Sequence, residues 1–147
     1  MTTSHLSRGQ LGELYAAAYL EQSGYRLVAA NFTLPVGRNR RNAVINAELD
    51  LIAYDGTTLC FVEVKTRASD WFASPEVNVD KRKRRQIARG ARAYRQMFDL
   101  EADPYRYDVV TVVLGDNEQS VPQIEVLKSF WNESQLKRRW RSERYFH

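Results

Sequence analysis

The stretch at residues 47–67, AELDLIAYDGTTLCFVEVKTR, sets two apolar, polar-interrupted runs on either side of Asp55-Gly56. An Asp-Gly pair between such runs is the strongest short-range hairpin signal. It predicts two antiparallel strands whose two-residue loop pairs Tyr54 with Thr57, so that Asp50 faces Phe61 and lies diagonal to Glu63. Strands this apolar belong in a core, yet they carry Glu48, Asp50, Glu63 and Lys65. Side chains alternate faces along a strand, which groups Glu48, Asp50 and Ile52 on one side and Leu49, Leu51 and Ala53 on the other. The hairpin register then brings Asp50, Glu63 and Lys65 to one face. Two carboxylates so placed repel each other and raise each other's pKa unless a positive charge sits between them. A divalent cation meets that need.

Upstream, Ser7 is a candidate N-cap for a helix over 9–22, with Leu11, Leu14, Tyr15 and Ala18 on one stripe and Gly24 as its stop. A second stripe of small and apolar residues, Ala16, Ala17 and Leu20, also contains Glu13, an odd place for a carboxylate. YRLVAANF (25–32) reads as a strand, and 33–46, with Pro35 and Gly37, as a loop or irregular hairpin. Downstream, 68–80 reads as a loop. Asp80 then caps a second helix that runs to about Phe98, with Ile87, Ala91, Tyr94 and Phe98 on its apolar stripe and Arg82, Arg85, Arg89 and Arg92 opposite. RYDVVTVVL (106–114) is valine-rich enough for a central strand, and QIEVLKSF (123–130) for a last one. This order predicts an α/β fold, a central mixed sheet flanked by helices. The domain is expected to span 1–127, followed by a basic C-terminal helix or tail over 128–147.

Composition narrows the function. A chain of 147 residues that is 44% hydrophobic supports one core. Its apolar runs are too short for a membrane span and its N-terminal stretch lacks a secretory apolar segment, so the expectation is a cytoplasmic protein with no membrane partner. One cysteine, Cys60, and two histidines, His5 and His147, make neither a disulfide nor a zinc site. Any metal must be held by oxygen, and that suits Mg²⁺ or Mn²⁺. The net charge is only +4, but Lys81 to Arg95 holds eight basic residues and no acidic one, and further clusters lie at Arg38, Arg40, Arg41 and in the tail after Lys128. Three basic clusters suggest a polyanionic partner.

Asp50 followed by Glu63-Val64-Lys65 resembles the D…(D/E)XK signature of the PD-(D/E)XK nuclease superfamily, whose fold is restriction-endonuclease-like. Glu13 resembles the extra helix glutamate of its RecB-type and Holliday-junction-resolvase-like members. RGQLGELYAAAYLEQSGYRLVAAN, ELDLIAYDGTTLCFVEVKTR, SPEVNVDKRKRRQI and RYDVVTV resemble, in order and spacing, the blocks of the bacterial YraN-like family of predicted endonucleases. The resemblance covers roughly residues 8 to 127. It implies a catalytic set of Glu13, Asp50, Glu63 and Lys65, with Mg²⁺ or Mn²⁺ held by Asp50, Glu63, the Val64 carbonyl and Glu13, and with Lys83 joining the site from the second helix. The family's usual Gly-Glu-Ile-Asp is here Ala47-Glu48-Leu49-Asp50, and the basic loop before Glu48 is longer than its pattern.

Two functions follow. One is a metal-dependent nuclease acting on DNA, with branched or structured DNA implied by the resolvase resemblance alone. The other is a non-catalytic nucleic-acid-binding accessory protein on the same scaffold. The stripe of Arg82, Arg85, Arg89 and Arg92 is either a solvated face or a phosphate-contacting surface. Glu48 is either the exposed end of its strand or a neighbour of the site. Trp71-Phe72 either packs or stacks on a base, and Trp131, Trp140, Tyr145 and Phe146 dock either on the domain or on a second subunit of a homodimer.

Overall fold

A computed structural model describes residues 5–68, 78–117, 119–134 and 136. Trp71-Phe72 and the tail beyond 136 lie outside the described residues. In chain order the elements are α1 (Arg8–Gln22), β1 (Arg26–Arg38), β2 (Val44–Asp55), β3 (Thr58–Arg67), α2 (Lys81–Met97), β4 (Tyr105–Val113) and β5 (Gln123–Trp131). The strands form one mixed sheet in the order β1-β2-β3-β4-β5. Every pairing is antiparallel except β3 with β4, the two strands that α2 joins. This is an α/β fold with a five-stranded sheet between two helices.

Each face of the sheet has its own core. On one, Ile87, Ala91 and Tyr94 of α2 pack against Leu49, Ile52, Phe61 and Val109; on the other, Ala16 and Leu20 of α1 pack against Leu51, Cys60, Val62 and Val110. The α2 stripe is the one the sequence predicts, except that Phe98 is the exposed C-cap. For α1 the second stripe wins: Gly12, Ala16 and Leu20 are buried, while Leu14 is 57% exposed. Small residues let the helix sit close to the sheet. A Cβ on Gly12 would stand 1.9 Å from Thr66 Oγ1, and one on Gly90 of α2 would stand 3.0 Å from Ala47 Cβ. Both helices begin as expected, α1 on a capping box between Ser7 and Gln10 and α2 on Asp80, whose side chain accepts from Lys83 N.

Of the two readings of 33–46, the irregular hairpin holds: β1 continues through Pro35, with a register shift before Gly37, and the turn is confined to 39–43. Pro35 is tolerated because β1 is an edge strand. The β2–β3 loop is Gly56-Thr57 rather than Asp55-Gly56, so Tyr54 pairs with Leu59 and Asp55 with Thr58. Asp55 is drawn into the strand by Arg106 Nη2 at 2.7 Å and Lys128 Nζ at 3.2 Å. The last strand runs past 127 to Trp131, which is buried and stacks on Tyr107 with ring centroids 3.9 Å apart. The domain boundary at 127 therefore falls inside β5.

Two neighbouring strands switch faces partway along their length. Strict alternation along β2 fails at Asp50, because Leu49 and Ile52 both join the α2-side core while Leu51 and Ala53 join the other. β1 makes the same switch across Asn31, where φ is +50° and Ala29 and Phe32 lie on one side. Asparagine adopts this left-handed backbone more readily than most residues.

The close approach of α1 is testable. Gly12→Ala should destabilise the protein by about 1–3 kcal/mol, the usual cost of overpacking, whereas Gly9→Ala, with nothing within 4 Å of its added Cβ, should change stability little. Urea unfolding of the two variants checks this, and equal effects would mean that the Gly12–Thr66 contact does not limit packing.

Candidate active site

The β2–β3 ladder ends at Leu51 and Val62. Past that point the strands part, and the Val64 N–H donates to Asp50 Oδ2 at 3.0 Å instead of to a strand carbonyl. The direction of the neighbouring Val64 carbonyl follows from the ladder on the other side. Leu59 N donates to Pro104 O and Leu114 N donates to Arg67 O, so odd-numbered residues of β3 turn their backbone groups toward β4. Even-numbered ones face β2, and the Val64 carbonyl therefore opens into the same gap as the Asp50 carboxylate.

Asp50 lies close enough to Glu63 for its charge and a side-chain hydrogen bond to act on that carboxyl, although the ladder itself stops at Leu51 and Val62. Glu63 lies on the α2 side and is only 7% exposed. Lys65 Nζ and Lys83 Nζ each stand 3.9 Å from Glu63 Oε1, one from the same strand and one from the first turn of α2. At that separation they are charge contacts, longer than hydrogen bonds. Burial pushes the Glu63 carboxyl up to about 7, the Asp50 charge adds to the rise, and Lys83 and Lys65 oppose it.

Glu13 reaches the same region from α1. Its carboxyl is raised by partial burial, held back by a hydrogen bond with the Asn31 side chain, and raised again by the charges of Asp50 and Glu48. Because Asp50 sits where β2 switches faces, it is felt by Glu13 from one layer and by Glu63 from the other. Among the described residues, however, no three Asp, Glu, His or Cys side chains gather into a metal cage. The donors the backbone brings together are Asp50, Glu63 and the Val64 carbonyl, an all-oxygen set with one nearly buried carboxylate pressed against another. That set fits a hard divalent cation completed by water and phosphate.

The remaining sequence candidates divide. Lys83 is at the site, whereas Arg82, Arg89 and Arg92 are exposed along α2 and Arg85 is half-buried, its Nε and Nη2 out of solvent and without an acceptor among the described residues. Glu48 is exposed. Asn31 is the residue that sequence reading missed; its only signal was an asparagine in an apolar strand. Also missed was the buried Asp108, which accepts from Arg106 Nε at 2.9 Å and from Ser129 N at 2.9 Å and ties β4 to β5 at the far end of the sheet.

The raised Glu63 carboxyl has a measurable consequence. Between pH 4.5 and about 7 the folded chain holds a proton on Glu63 that the unfolded chain has released, so metal-free stability should fall as pH rises through this window and level off above it. Glu63→Gln should remove that slope. Thermal melts in chelator across the window check it, and a slope that persists in the variant would assign the effect to another group.

Residues 12–112, which contain every carboxylate and lysine of this cluster, match the model of the uncharacterised protein family UPF0102. A UPF0102 protein of Moorella thermoacetica is 39% identical over 128 residues, 87% of this chain and 98% of the relative. One from Chlorobium limicola is 36% identical over 132 residues, covering 87% and 95%. One from Chlorobium chlorochromatii is 41% identical over 129 residues, covering 85% and 92%. With the match running from within α1 through α2 and into β4, the chain belongs to the UPF0102 (YraN-like) family.

Proposed function

We propose that this protein is a metal-dependent nuclease of the PD-(D/E)XK type that hydrolyses phosphodiester bonds in DNA. One observation carries the reading: a buried Glu63 carboxylate is held against Asp50 and flanked by two lysines where two strands separate. A purely structural ion cluster gains little from that arrangement, since burying charge costs more than a surface pair returns. In the proposed site Asp50, Glu63 and the Val64 carbonyl hold Mg²⁺ or Mn²⁺, with Glu13 and Asn31 on the α1 side.

The cation supplies Lewis-acid polarisation of the scissile phosphoryl group. The chain's own residues do the rest. The Val64 N–H fixes the Asp50 carboxylate in one orientation, so its lone pairs are aimed before substrate arrives. Glu63, poised near neutrality, gives up its proton as it becomes a ligand. Lys65 orients the attacking water or offsets the negative charge that grows on the phosphoryl oxygens, and Lys83 neutralises the same region from α2. The arginines of α2 hold the DNA backbone without reading bases. A preference for branched DNA rests on the family resemblance alone.

Purified protein should cut DNA with Mg²⁺ or Mn²⁺, and Asp50→Asn should abolish both cleavage and Mn²⁺ binding by calorimetry. Lys65→Ala should lose on the order of 10² to 10³ in single-turnover rate with DNA affinity unchanged, because its contribution is confined to the transition state. Lys65→Arg should not rescue it, since a planar, permanently charged guanidinium differs in shape and cannot give up a proton. Wild type that binds DNA tightly yet cuts no single-stranded, duplex, flapped or four-way substrate would favour the accessory role instead.

A further inference from the structure

The tip of the β1–β2 hairpin and the second half of α2 enclose a groove of about 500 Å³, walled by Arg38, Arg89, Arg92 and Gln96 over a floor of Ile45 and Ala93. Neither Asp50 nor Glu63 lines it. Along α2, Arg89 and Arg92 lie about 9 and 13 Å beyond Lys83, at 1.5 Å per residue.

Its charge is unbalanced. No acidic side chain lines the groove, and none of its three arginines forms an ion pair with a described residue. α2 contains no acid that could supply one. The groove is also built. Arg38 Nη1 donates to Asn42 O at 2.8 Å, and the turn is braced by Asn39, whose side chain accepts from Arg41 N at 2.9 Å and Ala43 N at 3.0 Å. One N–H of Arg38 is thus spent on placing the guanidinium, and the rest of its fork is available. Arg40 and Arg41 stand exposed on the same tip. Three guanidiniums around one groove repel one another, and an anion with several oxygens relieves that repulsion while matching their paired N–H donors.

We propose that this groove is a phosphate-binding subsite that grips the sugar–phosphate backbone of a nucleic acid strand at a distance from the Asp50–Glu63 centre. The subsite deepens the nuclease reading and rests on it for the identity of the polyanion. Nucleic acid is favoured over an acidic protein segment because Arg82, Arg85, Arg89 and Arg92 form one stripe that leads from the turn of α2 bearing Lys83 into the groove. A continuous backbone of regularly spaced charges fits a continuous stripe of cations. Arg38 extends that stripe onto the sheet and joins two of the basic clusters seen in the sequence.

The test is DNA binding by fluorescence anisotropy in chelator, so that affinity is read without cleavage, over a series of salt concentrations. Arg38→Gln, Arg89→Gln and Arg92→Gln are compared with Arg26→Gln, an equal charge loss at the opposite end of β1, where the guanidinium lies 5.0 Å from the Tyr54 ring. Each groove variant should flatten the dependence of log K on log salt by about 0.7–0.9 and weaken binding several-fold at physiological salt, with the triple variant losing roughly 100-fold. Arg26→Gln should bind as wild type. Groove variants that bind as wild type would overturn the subsite while leaving the nuclease reading intact. An equal loss in Arg26→Gln would overturn it in favour of unlocalised charge, and displacement of DNA by polyglutamate at equal charge concentration would assign the groove to an acidic protein. Wild type that binds no nucleic acid would overturn both readings.

Discussion

Beyond Val62 the backbone of β3 has lost its neighbour on the β2 side, and a buried N–H without an acceptor costs about 1–3 kcal/mol. The Asp50 carboxylate, 3.0 Å from Val64 N, removes that cost. The bond closes the sheet where its strands part and at the same time aims Asp50 into the gap. Glu63 near it, the Val64 carbonyl beside it and Glu13 from α1 are all arranged around this one contact. A carboxylate that did not accept from Val64 would be free to turn to solvent, and no fixed pair would form with Glu63.

The register that makes this contact is set at the other end of the hairpin. Asp55 is held by Arg106 and Lys128, Arg106 is also bonded to Asp108 and to the Tyr25 hydroxyl, and Asp108 accepts from the backbone of Ser129. This network links β2, β4 and β5 to the segment between α1 and β1. It is buried at Asp108 and opens toward the surface at Asp55 and Lys128. The site end differs: Lys65 and Lys83 meet around Glu63, and burial together with the Asp50 charge pushes its carboxyl up to about 7. The fold thus places a hydrogen-bonded polar network at one end of the sheet and a cluster of opposed charges at the other.

Two close helix approaches hold the second end in shape. Gly12 lets α1 touch Thr66, one residue from Lys65, and so brings Glu13 toward Asp50; Gly90 lets α2 lie on Ala47 and Leu49, which fixes Lys83 above Glu63. The same seating of α2 turns its arginine stripe away from the core and toward the hairpin tip. Packing of small residues in the layers therefore decides both where the carboxylates meet and where the cationic groove opens.

Local pattern by itself determined the element order, both helix caps and the shared face of Glu63 and Lys65, which lie two apart on one strand. It also determined the α2 core stripe, where bulky residues recur at helical spacing. Long-range packing decided the rest. Sequence could not see that Asp55 would be captured by Arg106 from β4, which moves the loop by one residue. Nor could it see that Asn31 and Asp50 break the alternation of two strands together, since the switch depends on which core each side chain joins across the sheet. In α1 it offered two stripes, and the sheet selected the one with Gly12, Ala16 and Leu20, because small residues permit the helix to come near enough to deliver Glu13.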